Sequence, residues 1–90
     1  MARLTDEEVR ERLKSLPGWE QHGHTIRRIY KFPDFKASMA FANRVAELAD
    51  AQDHHPDMLV QYSQVTLTLT SHDSGGLTAR DFSLAQRIDA

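Results

Sequence analysis

The 90-residue chain contains no cysteine, so disulfide staples and thiolate metal ligands are excluded and nothing in it calls for an oxidising compartment. It also lacks a long apolar run. No window approaches the roughly 18 consecutive apolar residues that a membrane span needs, and the opening MARLTDEEVRERL has no apolar stretch of the kind a secretory signal carries. A cytoplasmic protein is the expectation. Nor is there an excess of one charge. Eleven basic residues stand against thirteen acidic ones, a formal net charge of -2, and the basic residues are scattered, so the footprint of a nucleic-acid binder is missing. Internal repeats, low-complexity tracts and Ser/Gly-rich linkers are absent as well.

What remains is a short chain of 40% hydrophobic content, enough for one modest core. Residues 1–90 are therefore expected to form a single domain, stabilised by packing and helped by self-association. LTDEEVRERLKSL opens with a capping box, Thr5 at the cap and Glu8 three residues on, with Leu4 and Val9 at the hydrophobic-staple positions. Val9, Leu13 and Leu16 follow at helical spacing, which predicts a first helix of about three turns ending at Pro17-Gly18. WEQHGHTIRRIYKF reads as two strands joined around Gly23.

PDFKASMAFANRVAELADAQ carries the strongest helical pattern. Phe35, Met39, Ala42, Val45, Ala46 and Ala49 form its stripe, widened by Phe41 and Leu48, with a start at Asp34 and a stop shortly before Pro56. In MLVQYSQVTLTLTSH, a predicted hairpin, Val65, Leu67 and Leu69 alternate with Thr66, Thr68 and Thr70, so one face is apolar and the other meets water or lines a cleft. His72 has the parity of the threonines. In SGGLTARDFSLAQRID, Thr78 is the expected cap and Asp81 the third residue of a last helix. The order α-β-β-α-β-β-α predicts an α+β fold: a four-stranded antiparallel sheet with helices packed on one face.

Of the five histidines, His54 and His55 stand together in DAQDHHPDMLVQY. Asp50 lies four residues before His54, so a helix reaching that far would let its carboxylate orient the ring. Pro56 forces His55 into extended backbone, and the two rings are expected to diverge. On this feature alone a helix stop is an equal reading, because histidine interacts favourably with the dipole at a helix C-terminus. Asp53 and Asp57 are equally readable as solvated loop acids. A metal site is disfavoured, since there is no His-x-x-x-His pair and rings diverging at a proline do not share an ion easily. No serine sits in a G-x-S-x-G elbow.

The spacing continues well beyond the histidine pair. Asp50, three residues, His54-His55-Pro56, five residues, Tyr62, nine residues, His72, eight residues, Asp81: this pattern, with DHHP, TSH and GLTARD as its islands, resembles the signature of the pterin-4a-carbinolamine dehydratases. Trp19 stands where that family has an early tryptophan. The resemblance implies dehydration of a 4a-hydroxytetrahydropterin, left by aromatic amino acid hydroxylases, to the quinonoid dihydropterin. Hydroxide is a poor leaving group, so the reaction calls for an acid on the departing oxygen and a base for the proton on the adjacent ring nitrogen. Histidines serve both roles without metal or redox cofactor.

By position, the resemblance makes His54, His55 and His72 the catalytic group. His54 and His72 would act as proton donors and His55 as the ring-binding residue that takes its proton. Asp50 would activate His54, and because it replaces a longer glutamate a longer or water-mediated contact is expected. Asp53, Thr70 and Ser71 would line the pterin pocket. Asp81 is read both as reciprocating Thr78 in the cap and as positioning its helix beside the pocket. Tyr62 is read as core or pocket wall, and Trp19 either packs on the pterin or anchors the first hairpin. The resemblance further implies a homodimer or homotetramer. Relatives of the fold that act as transcriptional cofactors or assembly factors supply a second reading, a protein-binding one, but such relatives tend to lose the histidines that are intact here.

Overall fold

Each helix begins at a side chain that accepts hydrogen bonds from its own first turn. In the computed structural model, which describes residues 2–90, Thr5 and Glu8 cap α1 (Asp6–Leu13) reciprocally, at 3.1 and 2.9 Å. α1 has eight residues rather than the predicted three turns, because the backbone passes into turns at Lys14. Leu16 is still buried, delivered by those turns. Asp34 caps α2 (Phe35–Gln52) by accepting from the Ala37 N–H at 2.8 Å. α2 buries Ala42, Val45 and Ala49 as its stripe predicts, with Phe41 and Leu48 packed at the margin. Phe35 departs from the prediction and stands 50% exposed in the first turn, while Ser38 takes a core position by turning its hydroxyl onto the Asp34 carbonyl at 3.2 Å.

The strands are β1 (Glu20–His22), β2 (Thr25–Lys31), β3 (Asp57–Gln61) and β4 (Gln64–Leu69), all antiparallel in the order β1-β2-β4-β3. Gly23 adopts a φ of 60° in the first hairpin, a value at which a side chain would be strained. The β4 alternation is as read: Val65, Leu67 and Leu69 are fully buried on the face covered by the helices, and Thr66 and Thr68 lie on the other. β2 places Ile26 opposite Leu69 and Tyr30 opposite Val65 on the covered face. The predicted α+β architecture is the observed one. Its core joins those residues to Val9, Trp19 and the inner face of α3 (Ala79–Asp89), which contributes Phe82, Leu84, Ala85 and Ile88.

Two local geometries differ from the reading. β4 stops at Leu69, so His72 is not on a strand; it begins a short 3-10 turn, His72–Ser74. Tyr62 is neither core nor wall. It occupies the β3–β4 turn at φ 50° and is 70% exposed, since reversing the chain there requires a positive φ.

Candidate active site

α2 ends at Gln52 because Asp53 enters the left-handed region at φ 51°, a C-cap in which the His54 N–H reaches back to the Ala49 carbonyl at 3.1 Å. This reversal decides where the histidines go. His54 no longer stacks above Asp50. Its ring turns inward, is only 8% exposed, and places Nε2 2.6 Å from Asp81 Oδ1 on α3. Asp50 instead meets His55, Nε2 to Oδ1 at 2.8 Å, with both side chains at the surface. The expected Asp50–His54 contact is thereby corrected to Asp50–His55, and the expected divergence of the two rings is seen as two different carboxylate partners.

Asp81 is fully buried, and a carboxylate in that position must have its acceptor sites filled. They are. Oδ2 accepts from the Thr78 N–H at 2.9 Å, completing the cap of α3, and from the Ser71 hydroxyl at 2.9 Å; Oδ1 faces His54. Ser71 and Thr78 share a further hydroxyl contact at 2.8 Å. With a carboxylate on Nε2, the His54 ring carries its proton on that nitrogen, and Nδ1, which has no partner among the described residues, is left for other work. The helix cap and the orientation of His54 are therefore one network.

Ser71 links that network to His72. Its backbone is paired with Gly76 in both directions, at 3.2 and 3.3 Å, closing a six-residue turn that carries His72 at the surface. Thr70, beside it, donates to the His24 carbonyl at 2.7 Å. The structure thus brings together His54, Asp81 and Ser71 directly, with His72 as the next residue of the chain, and places Asp53 and His55 on the segment that leads out of α2.

Trp19 is not part of this cluster. Its indole is buried, donates to Asp89 Oδ2 at 2.8 Å and meets Tyr30 edge-on at 6.3 Å. Asp89 ends α3, eight residues beyond Asp81, about 12 Å along the axis. The same carboxylate accepts from Arg28 at 3.0 Å and from the Tyr30 hydroxyl. Burial, and then the hydrogen bond given to Asp89, push the Tyr30 phenol well above its ordinary range. Among the described residues no group of three or more His, Asp or Glu side chains is arranged to hold a metal ion.

Sequence reasoning missed the His54–Asp81 pair as a pair. The two residues are 27 positions apart, and no local periodicity joins them. The available signal was an aspartate at the third helical position of a capping box, where a shorter side chain leaves one oxygen free for a tertiary partner.

A small α+β fold with three helices on one face of its sheet and a histidine–carboxylate pair buried at the start of the last helix defines the class. The family model for pterin 4 alpha carbinolamine dehydratase matches residues 2–90, and the chain belongs to that family. It is 51% identical over 90 residues to a protein of Acidobacterium capsulatum named "Putative pterin-4-alpha-carbinolamine dehydratase", covering all of this chain and 98% of that one. A protein of the same name from Koribacter versatilis is 52% identical over 86 residues, 96% of this chain and 92% of that one. Among solved structures, a transcriptional coactivator/pterin dehydratase from Brucella melitensis superposes with a TM-score of 0.92 at 35% identity, covering 97% and 95% of the two chains. A pterin dehydratase-like protein identified as a RuBisCO assembly factor in the alpha-carboxysome shares the fold, with a TM-score of 0.69 at 21% identity over 80% and 86% of the chains.

Proposed function

We propose that this protein is a 4a-hydroxytetrahydropterin dehydratase, releasing water to give the quinonoid dihydropterin and so recycling the pterin of aromatic amino acid hydroxylases. The observation that carries the reading is the buried His54–Asp81 pair at 2.6 Å, in a chain that keeps His55 and His72 beside it. The three rings sit in three environments. His54 is buried against a carboxylate, His55 is paired at the surface, and His72 has no hydrogen-bond partner among the described residues. In this reading an imidazolium form of His54, through Nδ1, or of His72 gives its proton to the 4a-hydroxyl as the C–O bond breaks, and neutral His55 takes the proton from the adjacent ring nitrogen. Water and the quinonoid ring are the products, and atoms and charge balance without an added cofactor. In the same reading Asp53 and Thr70 line the pterin pocket, whereas Ser71, buried with its hydroxyl on Asp81, supports the pocket from beneath.

Single alanine variants test the assignment. His54→Ala and His72→Ala are expected to lower kcat by about 10²-fold or more with KM little changed, while His55→Ala raises KM. The same change in kcat and KM in all three would contradict the division of roles.

A second, protein-binding reading is favoured by one observation. The sheet face away from the helices carries Ile29 and Leu59, 51% and 54% exposed, astride Thr66 in a shallow groove of about 480 Å³. The names of the two solved relatives, a coactivator and an assembly factor, support a partner role of this kind. Homo-oligomerisation belongs to the same proposal, with β3, one of the two edge strands, as the pairing edge.

A further inference from the structure

His72 owes its position to the backbone that carries it. Its ring is exposed and has no hydrogen-bond partner among the described residues, so nothing but the turn aims it. The neck of the turn is fixed by the Ser71–Gly76 pairing, and within it the Ser74 N–H meets the Ser71 carbonyl at 3.0 Å and the Gly75 N–H meets the His72 carbonyl at 3.3 Å. Those bonds give the turn its shape. From outside the turn, Arg3 Nη1 donates to the Gly75 carbonyl at 3.4 Å, at its far end, and Arg80 Nη2 donates to Asp73 Oδ1 at 2.6 Å, immediately after His72 in the chain.

Two features make the Arg80 tether more than a surface pairing. Arg80 adjoins Asp81 on α3, so adjacent residues of one helical turn hold both proton donors: Asp81 grips the His54 ring and Arg80 grips the turn of His72. Arg80 Nε is also buried without a partner, a desolvation cost that a freely solvated side chain would not bear. The hydrogen bond from Arg80 holds the Asp73 carboxyl below its ordinary range, so the contact is charge-assisted at neutral pH.

We infer that Arg80 is a positioning residue for the dehydration: through Asp73 it fixes the 71–76 turn and hence the distance of His72 from the reacting centre, without itself touching substrate. This rests on the reading of His72 as a proton donor. The pair is partly exposed, 31% at Arg80 and 67% at Asp73, and such pairs contribute little to global stability. A displacement of about 1 Å in a reacting group, by contrast, can cost about 10²-fold in rate.

The test is a double-mutant cycle on the full chain, with Arg80→Gln, Asp73→Asn, the double variant and Arg80→Lys, read by kcat, KM, melting temperature and NMR relaxation of residues 72–75. Each single change is expected to lower kcat about tenfold with KM within about twofold. The double variant should be no worse than either single, Arg80→Lys should recover part of the loss, and melting should shift by only about 2 °C. A rise in KM confined to Arg80→Gln, losses that multiply in the double variant, or unchanged kcat would overturn the inference. Should the wild-type protein itself fail to dehydrate the pterin, the proposed function falls separately and relaxation decides the tether. Increased motion of residues 72–75 in both single variants would uphold the positioning of the turn, and unchanged motion would overturn it.

Discussion

Asp81 shows how much one buried carboxylate can organise. It serves a helix cap through Thr78, a loop neck through Ser71 and an imidazole through His54; its loss would orphan the Thr78 N–H and the His54 Nε2 and leave the Ser71 hydroxyl only its contact with the Thr78 hydroxyl. Asp81→Asn keeps the size but presents one amide N–H to a site built of donors. Breaking a buried pair of this kind costs about 3–5 kcal/mol, so a fall in folding stability of that order is expected from chemical denaturation. Turnover is expected to fall about 10²-fold or more in the fraction that remains folded, because the His54 tautomer is no longer fixed. The sequence made Asp81 visible as a cap and as the end of a spaced pattern, but not as the partner of His54. Which carboxylate meets which histidine was settled by the left-handed Asp53, a single dihedral that no periodicity announces.

At the scale of elements, what was legible follows from local chemistry. The capping boxes at Thr5 and Thr78, the Asp34 start of α2 and the β4 alternation each depend on residues within a few positions of one another, and each appears as read. What was not legible depends on distant partners: the early end of α1, the exposure of Phe35, and the C-terminal clamp in which Asp89 gathers Trp19, Arg28 and Tyr30. That clamp makes a pH prediction. The Tyr30 phenol, raised above its ordinary 10.0 by burial and then by its bond to Asp89, keeps its proton in the folded protein at pH values where the unfolded chain loses it. Its stabilising contribution is therefore complete below about pH 10 and is lost progressively as pH rises above that value. Melting temperatures measured through this window should fall more steeply for the wild type than for Tyr30→Phe. Parallel curves would show that the phenol is not held in this way.

For the whole molecule, the sheet has one face sealed by helices and one left open, and its β3 edge is unpaired among the described residues. That edge carries Met58 and Leu59, 40% and 54% exposed, with neither proline nor lysine to discourage pairing. Pairing with a second copy would satisfy the edge and add to a core that is modest because the chain is short. Sedimentation velocity is expected to show the wild-type protein as a dimer or tetramer and Met58→Lys/Leu59→Lys as a smaller species. An unchanged sedimentation coefficient in the variant would place the interface elsewhere, and a monomeric wild type would remove it. No helix among the described residues is long and apolar enough to cross a membrane.

Stopped-flow ultraviolet absorbance of freshly generated 4a-hydroxytetrahydropterin tests most directly whether the histidines perform a dehydration. The wild-type protein is predicted to accelerate loss of the hydroxyl over the spontaneous rate, to do so equally in the presence of a chelator, and to lose the acceleration in His54→Ala/His55→Ala. A wild-type trace that overlays the spontaneous reaction would contradict the account and turn the function of this fold toward its open sheet face.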